Sequence, residues 1–315
     1  MVSLIHGGRS NLTYRLSDGV HDWVLRRPPL GNVLPTAHDM AREYRVIEAV
    51  HGGKNVPVPA AVLFCEDRTV LGADFYVMEY VDGIVLRNRV QAAVLSEHQA
   101  ARCAEKLVQV LARIHLVDTG LLPGLGRPDG YLGRQVSRWR RQWALSATRT
   151  LPDIDELARR LTERVPRSQT TSLVHGDYRL DNVIFRAGGT EGLGEIAAVV
   201  DWEMATLGDP LADLGLLLVY WDPLTAGVTG TEHAVSGNRG FPPPSELADS
   251  YARATGLSLS ALGFYVALGY FKLAVIAEGI HARFLAGRTV GHGFETVGDA
   301  VPALVAAGLG ALAAG

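Results

Sequence analysis

The chain has 315 residues, of which 48% are hydrophobic and 20% charged, and carries a net charge of −3; it is long enough for about two domains with a sizeable core and too apolar to be disordered. The nearly balanced charge leaves no electrostatic footprint for a nucleic-acid partner. Two cysteines, Cys65 and Cys103, are too few for a disulfide framework and read as buried apolar fillers in a reducing compartment.

The apolar start, Met1 to Ile5, is too short for a leader. No segment is expected to reach the ~18–20 apolar residues of a membrane helix, so a cytoplasmic protein without a membrane partner is the expectation. Gly7-Gly-Arg-Ser-Asn11 then offers adjacent glycines whose backbone N–H groups can approach a phosphate, with the Ser10 hydroxyl beside them. Leu12–Leu16 and Asp22–Arg26 flank a turn at Ser17-Asp-Gly-Val20 and predict a hairpin. A helix is predicted over Thr36–Val50, capped by Thr36 with Asp39 as its reciprocal partner. Ala61–Cys65 and Asp74–Tyr80 read as further strands, and with one more they make five N-terminal strands and one helix. Asp82-Gly83 leads into mostly helical sequence, which places a lobe boundary at residue 81.

Beyond that boundary, helices are predicted over Ser96–His115 (with a Ser-Glu cap), Tyr131–Ala147, Asp153–Val165, Pro210–Trp221, 245–254 and 259–286. The tail from Val301 reads as a terminal helix, docked or frayed. Two short strands and a loop occupy Ser172–Val200, with a glycine-rich turn at Gly188–Gly194. Residues 222–243, rich in Gly, Thr and Pro, read as a loop near a substrate. The whole predicts an α+β chain with a small antiparallel N-terminal lobe (1–81), a larger helical lobe (82–315) and a cleft between them.

The chemistry concentrates in His175-Gly-Asp-Tyr-Arg-Leu-Asp-Asn182 and Val199-Val-Asp-Trp-Glu203. An Asp two residues after a His, an Asn five further on, and a second Asp after an apolar run match the needs of phosphoryl transfer. One carboxylate orients and deprotonates a hydroxyl, while an amide oxygen and a second carboxylate hold Mg²⁺ on the phosphates. Asp201 ends an apolar strand, where a carboxylate is costly without a cation or donors. His175 reads as structural. Asp209 and Asp213 read as anchors of the catalytic loop, Asp181 as exposed, and Glu203 as either a helper of a second metal or a solvent-facing charge. Arg134, Arg138 and Arg141 form a basic stripe at helical spacing, and Lys272 and Arg283 share a helix face. Either set is a solvated face or an anionic-substrate patch.

These motifs, with Val200-Asp-Trp-Glu-Met-Ala-Thr-Leu-Gly-Asp-Pro-Leu-Ala-Asp-Leu214, Val24-Leu-Arg-Arg-Pro-Pro29 and Phe271-Lys272, resemble the aminoglycoside phosphotransferase and choline kinase superfamily of the protein-kinase-like fold. The likeness is greatest to kinase-like domains associated with acyl-CoA dehydrogenases. It implies Asp177 as catalytic base and Asn182 and Asp201 as Mg²⁺ ligands. ATP phosphates would lie under Gly7, Gly8, Ser10 and Asn11. Arg26, at a position usually Lys, would pair with Glu43, and a hinge over Met78–Val81, including Glu79 and Val81, would bind adenine through its backbone. The activity implied is an ATP- and Mg²⁺-dependent small-molecule kinase acting on a hydroxyl, with a hydroxyacyl-CoA or related acyl compound as acceptor. The alternatives are an aminoglycoside or amino-alcohol acceptor and, in another class, a non-catalytic nucleotide-binding module.

Overall fold

The computed structural model describes residues 1–5, 11–29, 39–188, 193–229, 233–289 and 293–314. Five N-terminal strands, β1 (Val2–Leu4), β2 (Leu12–Ser17), β3 (Asp22–Arg27), β4 (Ala61–Cys65) and β5 (Phe75–Glu79), form one antiparallel sheet in the order β1-β2-β3-β5-β4. Helix α1 (Met40–Gly53) covers one face of it, and the four-residue helix α2 (Arg68–Leu71) lies between β4 and β5. Glu43, Val46, Ile47 and Val50 recur at the three- and four-residue spacing that puts them on one side of α1, and all four are buried. Leu25, Phe75 and Val77 make a smaller cluster, against which Cys65 packs only partly buried; Cys103 is the buried filler expected, and Cys65 is not.

The remainder is mostly helical: α3 (Arg89–Ala93), α4 (Glu97–His115), α5 (Tyr131–Ser146), α6 (Pro152–Glu163), α7 (Leu211–Tyr220), α8 (Ala226–Thr229), α9 (Pro244–Thr255), α10 (Leu262–Leu285) and α11 (Val301–Ala314). Set among them are two antiparallel ribbons: β6 (Ser172–Val174) with β9 (Thr206–Gly208), and β7 (Val183–Ala187) with β8 (Leu193–Val199). The ribbons present the candidate motif between α4 and α7. The lobe at the C-terminal end is built around α10, which packs against α5, α7 and α11.

Several expectations are corrected. The first helix starts at Met40, and its cap is Asp39, whose carboxylate accepts from the Arg42 amide at 2.9 Å; the expected cap Thr36 lies outside the described residues. Asp at the cap satisfies an amide that the helix leaves open. The cap partner of Ser96 is Gln99, in a reciprocal capping box, rather than Glu97. The described part of 222–243 contains short helical turns, and Asn238 ties it to α3 by donating to the Ala92 and Leu95 carbonyls at 3.0 and 2.6 Å. The tail helix is docked, with Val301, Leu304, Val305 and Leu312 buried.

Contrary to expectation, two helical stretches, Leu262–Leu285 and Val297–Ala314, are long and apolar enough to cross a membrane. In α10, 67% of that apolar window is buried inside the protein, as a core helix requires; for the second stretch the figure is 39%. The apolarity of α10 comes from packing all round rather than along one stripe.

Helices α7 and α10 cross closely at Gly215, where a Cβ would stand 2.5 Å from the Tyr265 carbonyl carbon and 2.6 Å from its oxygen. The obstacle is backbone, so the helices themselves must separate to admit a methyl group. Gly215→Ala is expected to lower stability by on the order of 1–3 kcal/mol, read as a melting temperature several degrees lower; an unchanged melting curve would show that α7 and α10 are not so closely packed.

Candidate active site

The motif is held by a carboxylate behind it. Asp213, in the first turn of α7 and 1% exposed, accepts from the backbone amides of His175 at 2.6 Å and Gly176 at 2.8 Å, and lies 3.2 Å from His115 Nε2. Burial of the carboxylate is costly, and these donors offset the cost. They also hold the Asp213 pKa below the ordinary range although burial acts to raise it. Gly176 has φ +85°, and a Cβ there would lie 2.8 Å from Met204 Cβ, so both the left-handed backbone and the close approach require glycine. The Asp177 amide donates to His175 Nδ1 at 3.2 Å, which leaves the Nε2 proton for the Val200 carbonyl at 3.0 Å. His175 thus links the loop to the strand end that carries Asp201.

Asp177 is half-buried at the loop's tip. Asn182 turns its amide nitrogen to the Asp177 carbonyl at 2.8 Å and to Oδ2 at 3.2 Å. A planar amide that commits its nitrogen this way leaves its oxygen uncommitted, as a metal ligand must be. The Tyr220 hydroxyl donates to Asp177 Oδ1, and Arg179 Nε stands 3.7 Å from Oδ2. Lys272 donates to the Gly176 carbonyl at 2.7 Å. Burial acts to raise the Asp177 pKa, but Arg179, Lys272 and the Tyr220 hydroxyl outweigh it and keep the carboxylate below its usual range. Asp181, expected to be exposed, is instead partly buried and paired with Arg179 at 2.7 Å.

Opposite the loop, Arg26 of β3 bridges two carboxylates. Nη1 donates to Glu43 Oε1 at 2.7 Å and Nη2 to Asp201 Oδ1 at 3.0 Å. Glu43 is fully buried, and burial raises its pKa against the pull of Arg26. Arg26 Nε and Glu43 Oε2 have no hydrogen-bond partner among the described residues. Asp201 has φ 68° and ψ 59°, left-handed for a residue with a side chain. Such a conformation costs about 1–3 kcal/mol and persists where surrounding contacts impose it. Here Arg26 and the buried Trp202 behind it impose it.

Asn182 and Asp201 offer oxygen donors, which suit a hard cation such as Mg²⁺. No group of three or more His, Cys, Asp or Glu side chains poised for a metal occurs among the described residues. Mg²⁺ generally takes one or two protein carboxylates and fills its remaining positions with phosphate and water. Gly7, Gly8 and Ser10 lie outside the described residues. Asn11 is buried and donates to Glu203 Oε2 at 3.0 Å, which joins the start of β2 to the segment after Asp201. Glu79, at the end of β5, turns its carboxylate to the Ala60 amide at 3.1 Å, and Val81 follows half-buried.

The basic stripe divides. Arg138 and Lys272 line a cavity of about 270 Å³ beside the catalytic loop, whereas Arg134 is tied to the Arg127 and Asp129 carbonyls and Arg141 and Arg283 are exposed. Three groups at the site escaped the sequence reading: Tyr220, Arg42 and the contact of Lys272 with the loop. Tyr220 ends a helix 43 positions beyond Asp177, and nothing in the local sequence joins the two.

Residues 2–247 match the profile of the phosphotransferase enzyme family. The chain is 38% identical over 311 residues to acyl-CoA dehydrogenase family member 11 of Gallus gallus, covering 96% of this chain and 39% of that protein. It is 36% identical over 287 residues to family member 10 of Mus musculus, covering 89% of this chain and 26% of that one. The chain therefore spans well under half the length of these relatives. A Ralstonia eutropha protein provisionally named an aminoglycoside phosphotransferase superposes with a TM-score of 0.83 at 31% identity, covering 100% of this chain and 92% of the other. Aminoglycoside phosphotransferase APH(4)-Ia, solved with AMP-PNP and hygromycin B, shares the fold with a TM-score of 0.66 at 15% identity, covering 98% and 94%.

The Arg26–Glu43 pair carries its own test. Arg26→Met leaves Glu43 buried without its cation, and breaking a buried pair from one side costs about 3–5 kcal/mol. Adding Glu43→Gln removes the stranded charge, so the double variant is expected to recover part of that loss in chemical denaturation. Strictly additive losses would mean that the two side chains do not interact.

Proposed function

The chain belongs to the phosphotransferase enzyme family and is a phosphotransferase with an alcohol group as acceptor; from this we propose that it transfers the γ-phosphoryl group of ATP, with Mg²⁺, to a hydroxyl of a hydroxyacyl-CoA or related acyl compound. The observation that carries the reading is that two carboxylates are each held in place by hydrogen bonds on opposite sides of the site. Asn182 and Tyr220 hold Asp177, while Arg26 and Glu43 hold Asp201.

Asp177 orients the acceptor hydroxyl and takes its proton, with Oδ1 the oxygen it would share with Tyr220. Asn182 and Asp201 would hold Mg²⁺, which supplies charge neutralisation on the phosphates when bound. Arg26 presents a fork of donors where an α- or β-phosphate lies in this family, and its guanidinium keeps its charge under burial better than an ammonium. Gly7, Gly8, Ser10 and Asn11 would cover the phosphates, and the backbone of Glu79–Val81 would bind adenine. The nucleotide lies between lobes divided near residue 81, and the protein acts in the cytoplasm.

Two observations support an acyl-CoA acceptor over a polycationic aminoglycoside. The relatives are acyl-CoA dehydrogenase family members whose matching portion is this same segment, which points to a shared acyl-CoA pool. The cavity beside the loop is lined by three cations, Arg42, Arg138 and Lys272, against two carboxylates, Glu203 and Asp213, that already accept internal hydrogen bonds, and a polyamine is disfavoured by such a wall. The intact Asp177, Asn182 and Asp201 speak against a non-catalytic nucleotide-binding module.

A screen of ATP consumption with Mg²⁺, covering hydroxyacyl-CoA thioesters and aminoglycosides, is expected to find turnover on the thioesters. Turnover of kanamycin-like compounds with none of the thioesters would overturn the acceptor assignment. With the acceptor in hand, Asp177→Asn should lower kcat by about 10²- to 10⁴-fold while ATP binding stays nearly unchanged. A variant that keeps most of its kcat would remove Asp177 from the role of base.

A further inference from the structure

The cavity beside the catalytic loop gathers three cations from three separate elements: Arg42 of α1, Arg138 of α5 and Lys272 of α10. Among the described residues none of the three has a carboxylate oxygen within ion-pair distance; Arg42 and Lys272 are half-buried and Arg138 is exposed, whereas two other cations beside the site are directly paired. Arg26 pairs with Glu43 and Asp201, and Arg179 with Asp181. The carboxylates that do reach the cavity wall are already engaged. Asp213 is committed to His175, Gly176 and His115, and Glu203 accepts from Asn11.

The cations also act on one another. Burial is the main cause that lowers the pKa values of Arg42 and Lys272, and Arg138 adds to it in both, while Asp39 acts the other way on Arg42 and Asp177 and Asp213 on Lys272. Arg42 uses one terminal nitrogen on the Leu125 and Ala205 carbonyls at 2.9 and 2.6 Å, but its Nε has no partner. Lys272 stands 5.7 Å from the centroid of the Trp139 ring, and Arg138 stands 5.4 Å from it, so one aromatic wall backs both charges. Three converging cations, none of them directly paired with a carboxylate, favour an anion that completes the set.

We propose that Arg42, Arg138 and Lys272 form an oxyanion site for a phosphate group, with Gln135 and Thr206 on its wall as further polar contacts. Three cations match a phosphate dianion better than a single carboxylate, and guanidinium forks suit phosphate geometry. The cavity, about 270 Å³, is large against the roughly 10–15 Å³ of such space that one water needs, so a phosphate fits together with part of an ester substituent. Lys272 is bonded to the carbonyl of Gly176, next to Asp177, and Arg42 neighbours Glu43 on α1. A phosphate seated here therefore braces the loop and the helix that carry both halves of the candidate active site.

The phosphate is either free or part of the acceptor. Only the second source rests on the acyl-CoA reading, since CoA carries a 3′-phosphate. The whole protein, with Mg²⁺-ADP present to fill the nucleotide site, is titrated calorimetrically with inorganic phosphate, CoA and 3′-dephospho-CoA. Arg138→Gln should weaken phosphate binding roughly tenfold or more, as expected for the loss of a charged hydrogen bond. Arg138→Lys should restore part of it. Arg141→Gln, which removes the same charge from an exposed position of α5, should leave it unchanged. Tighter binding of CoA than of its dephospho form, lost in Arg138→Gln, assigns the site to the substrate. Equal CoA affinities with phosphate binding intact assign it to free phosphate. Absence of phosphate binding, or equal losses in Arg138→Gln and Arg141→Gln, overturns the site. The turnover screen on thioesters is independent of all these outcomes, so either reading can fail without the other.

Discussion

One buried guanidinium joins the parts of this molecule that must act together. Arg26 leaves β3 and meets Glu43 of α1 on one side and Asp201, at the end of β8, on the other. A fork of two terminal nitrogens can serve two carboxylates at once, which a single ammonium does with poorer geometry. The N-terminal sheet, the helix that covers it and the segment carrying the candidate metal ligand are thereby held in one arrangement. The bridge adds little net stability, because removing charges from water costs nearly as much as their attraction returns. Its effect is to fix geometry, and the left-handed backbone of Asp201 is part of what it fixes.

The catalytic loop is held by the same kind of device from the other side. Asp213 takes two successive backbone amides, so the loop's path is set by a buried carboxylate committed to internal donors. His175 then passes that constraint to Val200, next to Asp201. Two buried carboxylates, Glu43 and Asp213, thus stand behind the two that face the cleft, Asp201 and Asp177. The division is chemical. The rear pair is buried and turned to donors inside the protein, while the front pair is only partly buried and within reach of a ligand.

Much of the site was legible because it is local in sequence. The run from His175 to Asn182 occupies one loop, so its spacing carries its geometry, and Asp201 follows an apolar strand that is plain to read. The order of Arg26 and Glu43 suggested a pair that the fold brings to 2.7 Å. The strands and long helices followed from alternation and helical period to within a few residues. What was not legible depends on tertiary contact. Tyr220 reaches Asp177 only because α7 packs beside the loop, and Arg42 reads as a surface residue until the fold brings the Leu125 and Ala205 carbonyls to its guanidinium. The basic residues at 134, 138 and 141 looked equivalent by spacing, yet only Arg138 faces the cavity. Asp181 turned inward because Arg179 offered it a partner. The apolar length of α10 reflects burial on several sides, which composition alone does not separate from a membrane span.

The central claim is that Asp201, fixed by Arg26, completes a site for metal-bound nucleotide. It is tested most directly by calorimetric titration of ATP into the protein and its Asp201→Asn variant, with and without Mg²⁺. Mg²⁺ is expected to strengthen ATP binding to the unaltered protein, and the variant, still folded, to lose that gain. ATP binding that is indifferent to Mg²⁺, or a variant that keeps the full metal-dependent gain, would contradict it.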